Sequence, residues 1–192
     1  MSAVSIAEAW PTTGRPFTVD DLDRMPDDGH RYELLDGVLV VSPAPTTPHQ
    51  RALARLMFVL MQACPRDLEV LPGPGLMVTS DTELIPDIAV VYQEHVGGAK
   101  LTEPALLAVE VQSPSTMLFD LNQKKRIYER FGVQSYWVVV PDADKPELLV
   151  FELREGRYEQ VAHVRGDETF QASLPFPVDV VPARLVEGLS PE

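Results

Sequence analysis

The stretch 105-ALLAVEVQSPSTMLFDLNQKKRIYERFGVQSYWVVV-140 decides the fold. It opens on one near-continuous apolar run, ALLAVEV, and closes on another, SYWVVV. Between them FDLNQKKRIYERFG has helical spacing and ends at Gly132, a residue suited to the left-handed cap of a helix. Strand, helix and strand in that order make a crossover unit, so two strands of the sheet are expected to run parallel. One residue is out of keeping. Glu110 is a carboxylate in an otherwise apolar strand, and burying it is costly without a partner. Either it ends the strand in solvent, or a cation meets it.

Alternation along the strand puts Leu106, Ala108, Glu110 and Gln112 on one face and Leu107, Val109 and Val111 on the other. Upstream, IPDIAVV sets Asp87 at the opening of a second apolar strand, with Pro86 marking a strand start or edge. Two carboxylates at the ends of neighbouring strands can converge on a hard cation. Mg²⁺ prefers oxygen ligands and keeps several waters, so two carboxylates suffice. Asp120, Lys124 and Tyr128 follow at i, i+4 and i+8, on one helical stripe. From there Lys124 can reach the strand ends, steadied by Asp120 and Tyr128, and orient a water or a developing phosphate charge. Lys124 read alone is a solvated charge, Asp120 a helix cap and Tyr128 a packed aromatic. Glu33, in RYELLDG, is a third carboxylate in an apolar context.

The rest of the chain supplies a sheet and its covering helices. Thr18 and Asp21 form the ends of a capping box for a short helix, TVDDLDRM. RYELLDGVLVVSP reads as a strand or as a hairpin bent at Asp36-Gly37. PHQRALARLMFVLMQAC has Leu53, Leu56, Met57, Leu60 and Met61 at helical spacing, with Pro48 in the first turn. LEVLPGPGLMVT and ELIPDIAVVY read as two short strands, and HVGGAKLTEP as a loop. ELLVFELREGRYEQVAHV reads as a hairpin turning at Glu155-Gly156, followed by a final strand and an irregular Pro-rich tail. The expected class is α/β (α+β mixed), a central mixed β-sheet flanked by helices. At 192 residues the expected organisation is a single domain over 15–186, with a disordered or loosely packed segment at 1–14 and a tail at 187–192.

Composition bounds the function. No apolar run approaches the ~20 residues of a membrane helix, and the N-terminus lacks the basic and apolar regions of a secretory signal. The one cysteine, Cys64, cannot close an intramolecular disulfide and reads as a core thiol. Cytoplasmic localisation is expected. The formal net charge of −13 argues against tight, non-specific nucleic-acid binding. It leaves room for a nucleic-acid enzyme, because carboxylates around a metal contribute to that count. His30, His95 and His163 are scattered and suggest no zinc cluster. Ser113-Pro114-Ser115-Thr116 reads as the turn feeding the helix, since no Gly-x-Ser-x-Gly context accompanies it.

The blocks "RYELLDG", "SPAPTTPHQ", "PDIAVV", "AVEVQSPST" and "DLNQKKRIYERFGVQSYWVV" resemble the signature blocks of the Uma-type restriction endonuclease family, within the PD-(D/E)XK nuclease superfamily. The resemblance runs in consistent order from about residue 15 to about 185. It implies a restriction endonuclease-like fold and a site of Asp, Glu and Lys around Mg²⁺, with Mn²⁺ able to substitute. By resemblance, Asp87 is the Asp of the Pro-Asp motif, Glu110 the acidic residue of the (D/E)XK motif, and Glu33 the N-terminal acidic position. The superfamily places its Lys two residues after the Glu, where this chain has Gln112. The Uma-type family instead offers a Lys on the following helix, here Lys124. Gln112 can orient a water or ligand but brings no charge. His49, near a helix N-terminus, is placed to contact phosphate. The resemblance therefore implies a Mg²⁺-dependent endonuclease on DNA, with a homodimer suited to cutting both strands. The alternatives are a nuclease-fold binding module with little or no activity, and a hydrolase of another phosphoester.

Overall fold

The computed structural model describes residues 14–112 and 120–188. At its centre is a six-stranded mixed sheet. Its strands are β3 (Leu68–Pro72), β6 (Ile88–Tyr92), β7 (Leu107–Val111), β8 (Ser135–Val140), β9 (Glu147–Arg154) and β10 (Arg157–Arg165). They lie in the order β10-β9-β8-β7-β6-β3. Within these six strands only β7 and β8 pair in parallel, in register Glu110↔Val138, as the crossover reading required. The connection between them carries one π-helical turn, Asp120–Lys124, that runs into α3 (Lys125–Phe131). Gly132 closes that helix at φ 94°, a backbone conformation that penalises any side chain.

Alternation sorts the central strands between two cores. Ile88, Val90, Leu107, Val109, Val111, Trp137 and Val139 face one way. Against them pack Ala52, Leu56 and Leu60 of α2 (Thr47–Ala63), together with α4 (Pro182–Val186) and the hairpin of β11 (Phe170–Ala172) and β12 (Val178–Val180). Ala89, Val91, Ala108, Tyr136 and Val138 face the other way, toward Ile127 and Tyr128 of α3 and a second sheet. That sheet is four-stranded and antiparallel. It comprises β1 (Arg31–Leu35), β2 (Val38–Ser42), β4 (Leu76–Thr79) and β5 (Thr82–Leu84), ordered β2-β1-β5-β4. Covering both faces explains why β6, β7 and β8 read as unbroken apolar runs instead of alternating ones.

Several local readings hold. Thr18 N–H donates to Asp21 Oδ2 at 2.9 Å and starts α1 (Val19–Leu22). Asp36 and Gly37, at φ 51° and 78°, turn the β1–β2 hairpin, and Glu155 and Gly156, at φ 50° and 80°, turn β9 into β10. Others change. The region read as two strands between 68 and 92 forms four, because Gly73-Pro74-Gly75 breaks the first run and Ile85-Pro86-Asp87 the second. The C-terminal region read as a strand and an irregular tail contains the β11–β12 hairpin and α4. Met61, counted on the apolar stripe of α2, is 56% exposed, while His49 is buried at the start of that helix. The Ser113–Thr116 turn, residues 1–13 of the N-terminal segment and residues 189–192 of the tail lie outside the described residues.

Candidate active site

β1 and β7 bring two carboxylates together from different sheets. On β1, alternation gives Arg31, Glu33 and Leu35 a common face, and Leu35 belongs to the core between the sheets. Glu33 is therefore directed inward and is 1% exposed. On β7, Glu110 shares the face of Ala108 and is also 1% exposed. The cation that meets Glu110 inside the protein is an ammonium. Lys124 Nζ lies 3.0 Å from Glu110 Oε1 and 2.9 Å from Glu33 Oε1. Of the three consecutive basic residues there, Lys124 is buried, Lys125 lies over the Phe151 ring at 3.7 Å, and Arg126 is exposed. Tyr128, one turn on, donates its hydroxyl to Glu110 Oε1 at 2.7 Å. It steadies the carboxylate and not the lysine. Burial first, then the charges of Glu110 and Glu33, push the Tyr128 phenol well above its ordinary range. The side chain of Asp120 lies outside the described residues.

Asp87 ends the Ile85-Pro86-Asp87 approach to β6. The β6–β7 register pairs Ile88 with Val109, so one step further sets Asp87 beside Glu110. Its Oδ2 accepts the Val111 N–H at 2.8 Å and bonds His49 Nε2 at 3.0 Å. Its Oδ1 accepts from Arg31 Nη1 at 2.7 Å. Burial alone would raise the Asp87 carboxyl. The His49 hydrogen bond, the Arg31 charge and the Val111 N–H outweigh it and hold the group down to about 2. An ionised carboxylate only accepts, so His49 Nε2 carries the proton. His49 Nδ1 is buried without a partner among the described residues.

Arg31 is the site residue that the sequence reading missed. Its Nε lies 3.9 Å from Glu33 Oε2, in addition to its bond with Asp87. Burial lowers its guanidinium, but the charges of Glu33, Asp87 and Glu110 raise it further. The signal was available: Arg31 precedes Glu33 by two positions on a strand, so a buried Glu33 implies an inward Arg31. Arg31, His49 and Asp87 line a cleft of about 820 Å³ that is also lined by Asp27, Gln50 and Ile85.

Glu33, Asp87 and Glu110 are hard oxygen donors of the kind Mg²⁺ takes. Gln112 adds a buried carboxamide with neither atom partnered among the described residues. In donor chemistry the group fits a divalent cation. In arrangement the oxygens are turned onto Arg31, His49, Lys124 and Tyr128, and no three acidic, His or Cys side chains among the described residues surround a common point.

The chain belongs to the Uma2 family, described as "Putative restriction endonuclease", whose model matches residues 19–185. A solved structure described as a "putative nuclease belonging to DUF820", from Anabaena variabilis, superposes with a TM-score of 0.70 at 17% identity, covering 89% of this chain and 98% of that one. The shared fold is restriction endonuclease-like, as the resemblance implied. Comparison with curated proteins gave no match. No helix among the described residues is long and apolar enough to cross a membrane.

Proposed function

We propose that the chain is a Mg²⁺-dependent endonuclease that hydrolyses DNA phosphodiester bonds, with Mn²⁺ able to substitute. The observation that carries this reading is the placement of Glu33, Asp87 and Glu110 with Lys124 behind a cleft large enough for a nucleotide segment. Asp87 and Glu110 would hold the ion, with Glu33 alongside. When bound, a divalent ion supplies Lewis acidity and a water acidic enough to attack phosphorus.

The chain's own groups do the remaining work. Lys124 presents an ammonium that positions the water or the scissile phosphate, and Glu33 and Glu110 fix its place. Tyr128 fixes Glu110, and His49 together with the Val111 N–H fixes Asp87. His49 acts here by orienting the Asp87 carboxylate through Nε2, near the start of α2. Gln112 offers a donor and an acceptor to a water or to the substrate. Cutting both strands needs two such centres, which a two-fold pair of chains supplies.

The deciding experiment is nicking of supercoiled plasmid with Mg²⁺ or Mn²⁺ by the wild type, Asp87→Ala and Lys124→Ala, purified identically. Cleavage by the wild type alone is expected. Equal cleavage by all three would place the activity elsewhere. A second reading, a binding module on a nuclease fold, draws on the net charge of −13 and on Gln112 in place of a strand lysine. It predicts no cleavage and no stabilisation by divalent ions.

A further inference from the structure

The bonding of the carboxylates is asymmetric. Asp87 Oδ2 is committed twice, to a backbone N–H and to His49. Glu33 Oε1 is likewise committed, to the Ile85 N–H at 2.8 Å and to Lys124. The other oxygen of each, Asp87 Oδ1 and Glu33 Oε2, faces the same group, the Arg31 guanidinium. These two oxygens can change partners without breaking a backbone hydrogen bond. Arg31 is also the member of the set that reaches solvent. Its side chain is 32% exposed and lines the cleft, whereas Lys124 is 3% exposed.

Resting on the metal-dependent reading above, we propose that Arg31 is a resident counter-cation, one that surrenders Asp87 Oδ1 and Glu33 Oε2 to an arriving divalent ion and turns into the cleft. Charge balance favours the exchange. Glu33, Asp87 and Glu110 carry three negative charges against the two positive charges of Arg31 and Lys124. With a divalent ion in place of Arg31, Lys124 and the ion together match the three carboxylates. The released guanidinium then stands beside the bound metal, where its planar fork suits a phosphate. Without metal, Arg31 keeps the buried carboxylates compensated and the apo protein folded.

Mn²⁺ affinity by calorimetry tests this on wild type, Arg31→Met, Arg31→Lys and Asp87→Asn. Loss of the competing cation should tighten Mn²⁺ binding roughly tenfold in Arg31→Met, because the binding-competent arrangement no longer has to be cleared first. Arg31→Lys should stay near wild type. Mg²⁺ titration of the wild type, followed by the Arg31 Nε–H resonance, reads the exchange without any variant at Arg31. The resonance should move with the midpoint of metal binding, and in Asp87→Asn it should stay still. Equal or weaker Mn²⁺ binding by Arg31→Met, or an unmoved resonance while the wild type binds metal, would overturn the exchange and leave the metal site standing. No binding by any protein would overturn both.

Discussion

Lys124 Nζ stands 3.0 Å from Glu110 Oε1 although 14 positions separate the two residues in the chain. The ammonium enters from a helix and the carboxylate from a strand, and Glu33 joins them from the other sheet at 2.9 Å. One cation therefore compensates two buried anions.

Replacing that cation should be expensive. Lys124→Met leaves Glu33 and Glu110 buried without the cation they share, which costs about 3–5 kcal/mol. Urea unfolding measures the loss. Because a divalent ion can restore the missing charge, Mn²⁺ should stabilise Lys124→Met more than it stabilises wild type. An equal response in both would separate the ion from this cluster.

Stability should fall in acid through Asp87. Its carboxyl is held down to about 2 against an ordinary 3.8. A depressed folded-state value means the contribution is complete above about pH 4 and disappears as pH falls toward 2. At ~1.4 kcal/mol per unit the contribution is about 2 kcal/mol. Urea midpoints of wild type and Asp87→Asn should differ by a constant gap above pH 4, and that gap should narrow steadily below it.

Tyr128→Phe removes one hydrogen bond to a charged, buried acceptor. A loss of about 1.5–3 kcal/mol is expected. The phenol is held well above its ordinary range, so it does not ionise while the protein stays folded. Ultraviolet difference spectra of wild type and variant should thus give superimposable alkaline titrations up to the unfolding transition. An extra titrating phenol in the wild type would contradict the burial and charge argument.

Gln112 offers a test of where the positive charge must come from. Two residues past Glu110, it is buried and its carboxamide is unpartnered among the described residues. In a Lys124→Gln background, Gln112→Lys should return plasmid nicking toward wild type, on the order of 10²-fold above Lys124→Gln alone. If the double variant is as inactive as the single one, the backbone origin of the lysine matters and not only its charge.

Much of this arrangement was legible from the chain. The crossover from Ala105 to Val140 specified the parallel pairing of β7 with β8, because an apolar run buried on both faces and a capped helix leave few other topologies. Glu33, Asp87 and Glu110 stood out as carboxylates in apolar surroundings; periodicity put Lys124 on a helical stripe, and the family resemblance singled it out. Arg31 was passed over because an arginine at a strand start normally lies in solvent, and only the burial of Glu33 two positions later turns it inward. Tyr128 was read as steadying Lys124 or as a packed aromatic, since nothing local in the sequence says which atom its hydroxyl meets. Four strands between Leu68 and Tyr92 were merged into two because Gly and Pro punctuation marks breaks without saying how the chain pairs across them.

The cluster that ties β1 to β7 through Lys124 also governs how such a chain can change over generations. Replacing Lys124 leaves Glu33 and Glu110 as uncompensated charges between the two sheets, whereas either carboxylate can go while the other still pairs with the ammonium. The order of change is therefore constrained: a lineage can shed a carboxylate before the lysine, but it can shed the lysine first only at a loss of stability.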